Sequence, residues 1–234
     1  MQPILPNLIG GEQATFIKGR DIFENVMLSQ ALVKGYGRKY LTPRCLMKVY
    51  IRKAFDTLQW SFIESMLTAF NFHAIFIKWV MNCVTGSWFS VKINGVSHGF
   101  FKDDLMIFTR GDLPSFTAVV HVLNKFGRLS GLIANPDKTS IYFGGVHHVV
   151  QSAILDFTKF SPSTFPFRYI GVPLNVSRLC LDHFGSLITK MQGAIQHWIS
   201  TFLSCDGRLQ LINSVLLGLQ TYWCSTILLP NGGS

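Results

Sequence analysis

Phe101-Lys102-Asp103-Asp104-Leu105-Met106-Ile107-Phe108 sets two adjacent carboxylates at the head of a short apolar run. The run 105–108 has the length and composition of a β-strand. Just upstream, Phe89-Ser90-Val91-Lys92-Ile93 alternates strictly and meets Asn94-Gly95. That dipeptide favours a two-residue type I′ turn, so 88–101 is predicted as a β-hairpin that neighbours strand 105–108 in one sheet. Just downstream, Asp112 and Pro114 stand where a helix start would place them. Phe116, Val119, Val120, Leu123 and Phe126 then form an apolar stripe, and Gly131 is a plausible C-cap. Hairpin, strand and amphipathic helix in succession predict an α+β fold with an antiparallel sheet.

The flanks extend this plan. Trp60, Ile63, Leu67 and Phe70 recur at helical spacing, and residues 75–84 continue with Phe76, Val80 and Cys83. Asn135-Pro136-Asp137 is a turn. Ile141-Tyr142-Phe143 is a strand closed by Gly144-Gly145, and Arg168 to Val172 reads as another strand. From about 182 the pattern is helical only. Phe184, Leu187, Met191, Ile195, Trp198 and Phe202 mark one helix, and Leu209, Ile212, Val215 and Leu219 mark the next. A border is expected near 175–181.

Composition narrows the function classes. The 234 residues suffice for one large domain or two small ones. Charged residues are only 14%, against roughly 25% in an average domain, and mean hydropathy is +0.31, so a charge-rich disordered chain is excluded. The net charge of +9 points to an anionic partner, nucleic acid first. Five cysteines without a C-x-x-C pair argue against a disulfide framework or a zinc site, and for a reducing compartment. No signal peptide is read at the N-terminus. The apolar stretches 66–84 and 215–229 are interrupted by Asn71, His73, Lys78 and Gln220, so no membrane partner is expected. The expected location is intracellular, in nucleus or cytoplasm.

Acidic residues are scarce, so their positions matter. Asp103-Asp104 at a strand end can converge on a divalent cation, or it can be a solvated turn pair. Asp56, in Arg52-Lys53-Ala54-Phe55-Asp56, can be a helix cap. No H-E-x-x-H, G-x-S-x-G, Walker or dinucleotide fingerprint occurs. His147-His148 lacks a carboxylate at ligand spacing and reads as loop.

Taken in order, seven segments resemble the reverse transcriptase domain of plant non-LTR (LINE-type) retrotransposons. Gln13 to Arg20, followed by Asp21-Ile22 and Asn25, resembles the fingers segment Q-x-x-F-[IV]-x-G-R. Lys48-Val49-Tyr50-Ile51-Arg52-Lys53-Ala54-Phe55-Asp56 resembles K-V-D-[IL]-R-K-A-[FY]-D, the first palm motif. Phe89 to Phe101 resembles F-S-V-x-I-N-G-x-x-x-G-F-F, and Phe101 to Leu105 the catalytic F-A-D-D-L box. Leu129-Ser130-Gly131-Leu132 with Asn135, Lys138 and Thr139 resembles S-G-L-x-x-N-x-x-K-[ST]. Arg168 to Leu174 resembles the R-Y-L-G-V-P-L primer grip, and Gly207 to Leu216 the thumb segment.

The resemblance implies the remnant of a right-hand polymerase: partial fingers over 1–40, a truncated palm over 41–174 and a helical thumb over 175–234. It implies an RNA-directed DNA polymerase working on an RNA template and a DNA primer with Mg²⁺. Asp103 and Asp104 would hold the metal, and Lys138 would stand near the leaving pyrophosphate. Lys18 and Arg20 would contact the triphosphate, and Phe55 would gate against a ribose 2′-hydroxyl. Arg168, Tyr169, Gly171 and Arg208 would contact nucleic acid.

Three departures weigh against activity. Tyr50 stands where the family has a metal-binding aspartate, and a phenol neutral at pH 7 is a poor ligand for Mg²⁺. The R-Q-G-D-P-L-S-P motif, its helix and the strand into F-A-D-D are missing between Phe101 and Asp103, and Lys102 replaces the alanine of the box. The start at Met1 lacks the more N-terminal fingers segment, and the upstream endonuclease and downstream elements are missing too. The expectation is therefore an inactive relic of such an enzyme. The alternatives are a non-catalytic basic nucleic-acid-binding module and an unstable translated pseudogene fragment.

Overall fold

The computed structural model describes residues 4–14, 17–38, 41–52, 57–86, 104–177, 179–200 and 204–226. The hairpin expected at 88–101, Phe55, Asp56 and Asp103 lie outside these residues. The chain is mixed α+β and divides into two compact units, Arg38–Thr164 and Met1–Gly37 with Phe165–Ser234.

The first unit holds a sheet of β1 (Arg44–Tyr50), β2 (Asp104–Arg110), β3 (Ser140–Gly144) and β4 (Ser161–Pro162), in the order β2-β1-β3-β4. Both neighbours of β1 run antiparallel to it, and β4 runs parallel to β3. The period of two splits β1 into faces. Cys45, Met47 and Val49 join Phe116, Ile141, Val146 and Ile154 in a core where each is buried. Leu46, Lys48 and Tyr50 share the opposite face.

Phe116 and Ile154 belong to the two helices that cover the core face, α5 (Leu113–Ser130) and α6 (His148–Thr158). Asp112 caps α5 by accepting the Ser115 N–H at 2.8 Å, and this bond holds its carboxyl below the usual range. Gly131 ends the helix at φ +81. Phe126, assigned by spacing to the buried stripe, is 40% exposed and meets Phe62 edge-on with ring centroids 5.8 Å apart.

Two further readings of this unit are corrected. Residues 60–84 form two helices, α3 (Trp60–Ala69) and α4 (Ala74–Thr85), because Asn71 turns left-handed at φ 58. His147-His148 is a helix start: His147 Nδ1 accepts the Val149 N–H at 3.4 Å and caps α6, and His148 is the first helical residue.

The second unit begins with α1 (Leu5–Leu8) and α2 (Ile22–Val33). Phe167–Tyr169 (β5) and Val172–Leu174 (β6) form a hairpin, where one continuous strand was expected. Ile170 at φ 50 and Gly171 at φ 85 supply the left-handed pair that a two-residue turn needs. The remainder is helical: a 3-10 turn Leu181–Phe184, α7 (Gly185–Ser200), α8 (Cys205–Leu211), a π segment Ile212–Leu216 and α9 (Leu217–Thr226). Phe184 and Trp223 are buried against each other, with ring centroids 5.5 Å apart. No described helix is long and apolar enough to cross a membrane.

Candidate functional site

The C-terminal end of β1 gathers three stretches that lie far apart in the sequence. Strand pairing sets Tyr50 opposite Asp104, so the head of β2 meets the tail of β1. On the other side, Tyr50 accepts the Asn135 N–H on its carbonyl at 2.7 Å, and its own N–H donates to Thr139 Oγ1 at 3.4 Å. Arg52 N–H donates to Ile133 O at 2.9 Å, which continues the pairing past the end of the strand.

Asn135 also shapes the turn that carries Lys138. Its side chain accepts the Asp137 N–H at 3.1 Å, and its carbonyl accepts the N–H groups of Lys138 at 3.3 Å and Thr139 at 2.9 Å. Short polar side chains favour such turns by closing on their own backbone. Lys138 is exposed at this turn, while Thr139 beside it is fully buried. Tyr50, Asp104 and the Lys138 turn are thus joined through backbone bonds.

Lys48 adds a feature that the motif reading missed. It is buried to 6% exposure and shares the face of Tyr50, with Nζ 4.9 Å from the phenol ring centroid. The i, i+2 spacing along β1 was the available signal. An ammonium over an aromatic face is attractive, the more so away from water. Position 50 is thus a phenol, and the residue two before it on the same face is a buried cation; neither is a carboxylate ligand of the kind Mg²⁺ takes. Among the described residues, no group of three His, Cys, Asp or Glu side chains is placed to hold a metal ion.

The other expected contact residues belong to the second unit. Lys18 is exposed. Arg20 is engaged by its own segment: Nη1 donates to Gly10 O and to Gln13 O (2.8 Å), and Nη2 donates to Pro6 O (2.9 Å) and Ile9 O (2.7 Å). In this arrangement the guanidinium ties α1 and the following turn together. Arg168 is exposed on β5, Tyr169 is half-buried at its end, and Gly171 is exposed in the turn. Arg208 is exposed on α8. Sequence reading also missed Tyr222. Its hydroxyl donates to Ile170 O at the hairpin tip, and its ring lies 5.5 Å from that of Phe23.

Charge is unevenly divided between the units. Of the 21 Lys and Arg, 14 fall in 38–164, with 7 of the 12 Asp and Glu, so this unit carries +7 of the net +9. Arg44 and Arg110 stand directly opposite each other on β1 and β2. No family model matches the chain.

Proposed function

We propose that this chain is a catalytically silent descendant of the reverse transcriptase domain of plant non-LTR retrotransposons. The observation that supports the reading best is the register of Tyr50 opposite Asp104. A templated polymerase of that family needs carboxylates from the first palm motif and from the F-A-D-D box on adjacent strands. This chain keeps the pairing of the strands and replaces one carboxylate with a phenol. The Asn135–Lys138 turn, joined to Tyr50 by its backbone, is the third part expected beside such a centre.

Phosphoryl transfer relies on positioning and electrostatic stabilisation. Both are impaired here, the second by Tyr50 and the first by the missing R-Q-G-D-P-L-S-P block that seats template and base. Each tenfold loss of rate corresponds to ~1.4 kcal/mol of barrier, and two independent losses multiply. Primer extension on an RNA template with Mg²⁺ tests this. Neither the chain nor Tyr50→Asp should extend the primer. Tyr50→Asp together with the reinserted block is the minimum repair. Extension by the unmodified chain that disappears with Asp103→Ala would overturn the proposal.

A second reading has its own support. The +7 charge of the 38–164 unit, with Arg44 facing Arg110, favours a basic nucleic-acid-binding module without catalysis.

A further inference from the structure

Helix α2 carries apolar side chains on both of its faces. Val26, Ser29 and Val33 line the inner face and are buried. On the opposite face, at spacings of three and four, stand Glu24, Met27, Leu28, Ala31 and Leu32, and all five are exposed. Met27 is 57% exposed and Leu28 59%.

The helix is held in place around this face. Asp21 caps its start by accepting the Phe23 N–H at 3.0 Å, and Asn25 Nδ2 donates to Glu12 O at 2.8 Å. Gln30 Nε2 donates to Asn175 O at 3.0 Å, and the Phe23 ring meets that of Tyr222. The outer face therefore sits on an anchored element.

Charge marks the two ends of that face. Glu24 stands in the first turn, Lys34 is the C-cap, and both are exposed. Ten residues of helix put them ~15 Å apart along the axis. Met27 and Ala31 lie between them without charge. A face that is negative at one end and positive at the other complements itself when a second copy is turned end over end. With Glu24 set opposite the partner's Lys34, Met27 falls opposite the partner's Ala31, a long side chain against a small one. The two-fold axis repeats both contacts, and Leu28 and Leu32 flank them. Helix α4 also exposes apolar side chains, Ile75 and Trp79, but its one charged residue is Lys78. It lacks the opposite charges that would order a second copy.

We propose that the outer face of α2 is a homodimer surface, covered by α2 of a second copy running antiparallel, with Glu24 and Lys34 paired across it. A helix ~18 Å long makes a contact at the low end of interface sizes, so the dimer should be weak, with a dissociation constant on the order of 10 to 100 μM. This proposal does not depend on the polymerase reading.

The test is sedimentation equilibrium of the full chain over a range of concentrations at near-physiological salt. The parent chain should shift from monomer to dimer across the micromolar range. Glu24→Lys and Lys34→Glu should each weaken the dimer by roughly tenfold, since each turns two attractive pairs into two repulsive ones. The first raises the net charge by two and the second lowers it by two, so an effect of overall charge alone would move them in opposite directions. An equimolar mixture of the two variants should dimerise as the parent does, because every Lys at 24 or 34 then meets a Glu. Leu28→Arg, at an exposed position, should leave only monomer. A parent chain that stays monomeric throughout would overturn the proposal. So would a dimer that survives Leu28→Arg, or a mixture of the charge variants that associates no better than each alone.

Discussion

Gly131 leaves α5 at φ +81, and a Cβ placed there would stand 2.1 Å from Thr57 O. Two costs coincide, a left-handed backbone for an L-residue and a collision with a backbone atom that no rotamer relieves. Gly131→Ala should lower stability by roughly 2 kcal/mol or more, read from the denaturant midpoint. Cys45 offers a second test at this scale. Burial pushes its thiol up to about 12, with Asp112 adding to the shift. Below the ordinary thiol range both folded and unfolded chains hold this proton. Between that range and about pH 12 only the folded chain keeps it, so stability falls as pH rises. The loss from this group should be on the order of 2 kcal/mol across the window, allowing for screening. Cys45→Ala should flatten that part of the alkaline curve, whatever it does to stability at neutral pH. Equal alkaline slopes for the two proteins would show that Cys45 is not a coupled group.

Among the elements, the β5–β6 hairpin shows where local sequence falls short. Arg168 to Val172 is apolar enough for one strand, and Ile170 is a β-branched residue that seldom takes a positive φ. Gly171 supplies half of the turn locally, and a tertiary contact joins at Ile170: Tyr222, 52 residues on, donates to Ile170 O. Helix α6 escaped for a related reason. Its cap is a histidine rather than Ser, Thr, Asp or Asn, so the usual start signal is missing. By contrast, α5 was legible from Asp112, Pro114, its stripe and Gly131, since those signals act within one turn of the helix. The candidate site was legible as three motifs in chain order. Their meeting at Tyr50 rests on long-range pairing, and the buried Lys48 depends on what covers the second face of β1. Tyr222→Phe removes the donor and leaves the Ile170 carbonyl without it, at about 1 kcal/mol. Burial, and then Tyr169, raises the Tyr222 phenol, so the folded state resists its ionisation. Stability should therefore fall as pH climbs past the ordinary phenol range, and Tyr222→Phe should remove that component. A variant as stable as the parent at neutral pH would show that the turn holds itself.

Across the whole molecule, the +9 charge is concentrated in one unit rather than spread over the chain. The 38–164 unit holds +7 of it, and 1–37 with 165–234 holds the rest. If the chain binds RNA or DNA, phosphate contacts should come mainly from the first unit, with Arg44 and Arg110 as the pair already in register. Counterion release makes this measurable, because log K falls linearly with log salt at about 0.7 to 0.9 per phosphate contact. Titrating a single-stranded RNA at several salt concentrations should give a steep slope for the parent chain. Arg110→Gln should reduce that slope by about 0.7 and weaken binding uniformly across sequences, as expected for a contact that reads no bases. Arg208→Gln, in the unit with little net charge, should change it less. The opposite ranking would move the contact surface to the hairpin and helices of the second unit. A flat salt response together with rapid alkylation of Cys45, which is fully buried in the folded chain, would mean that no stable domain forms. Steep salt dependence, a protected Cys45 and no primer extension is the combined outcome that the proposed reading, a polymerase descendant without its metal ligand, requires.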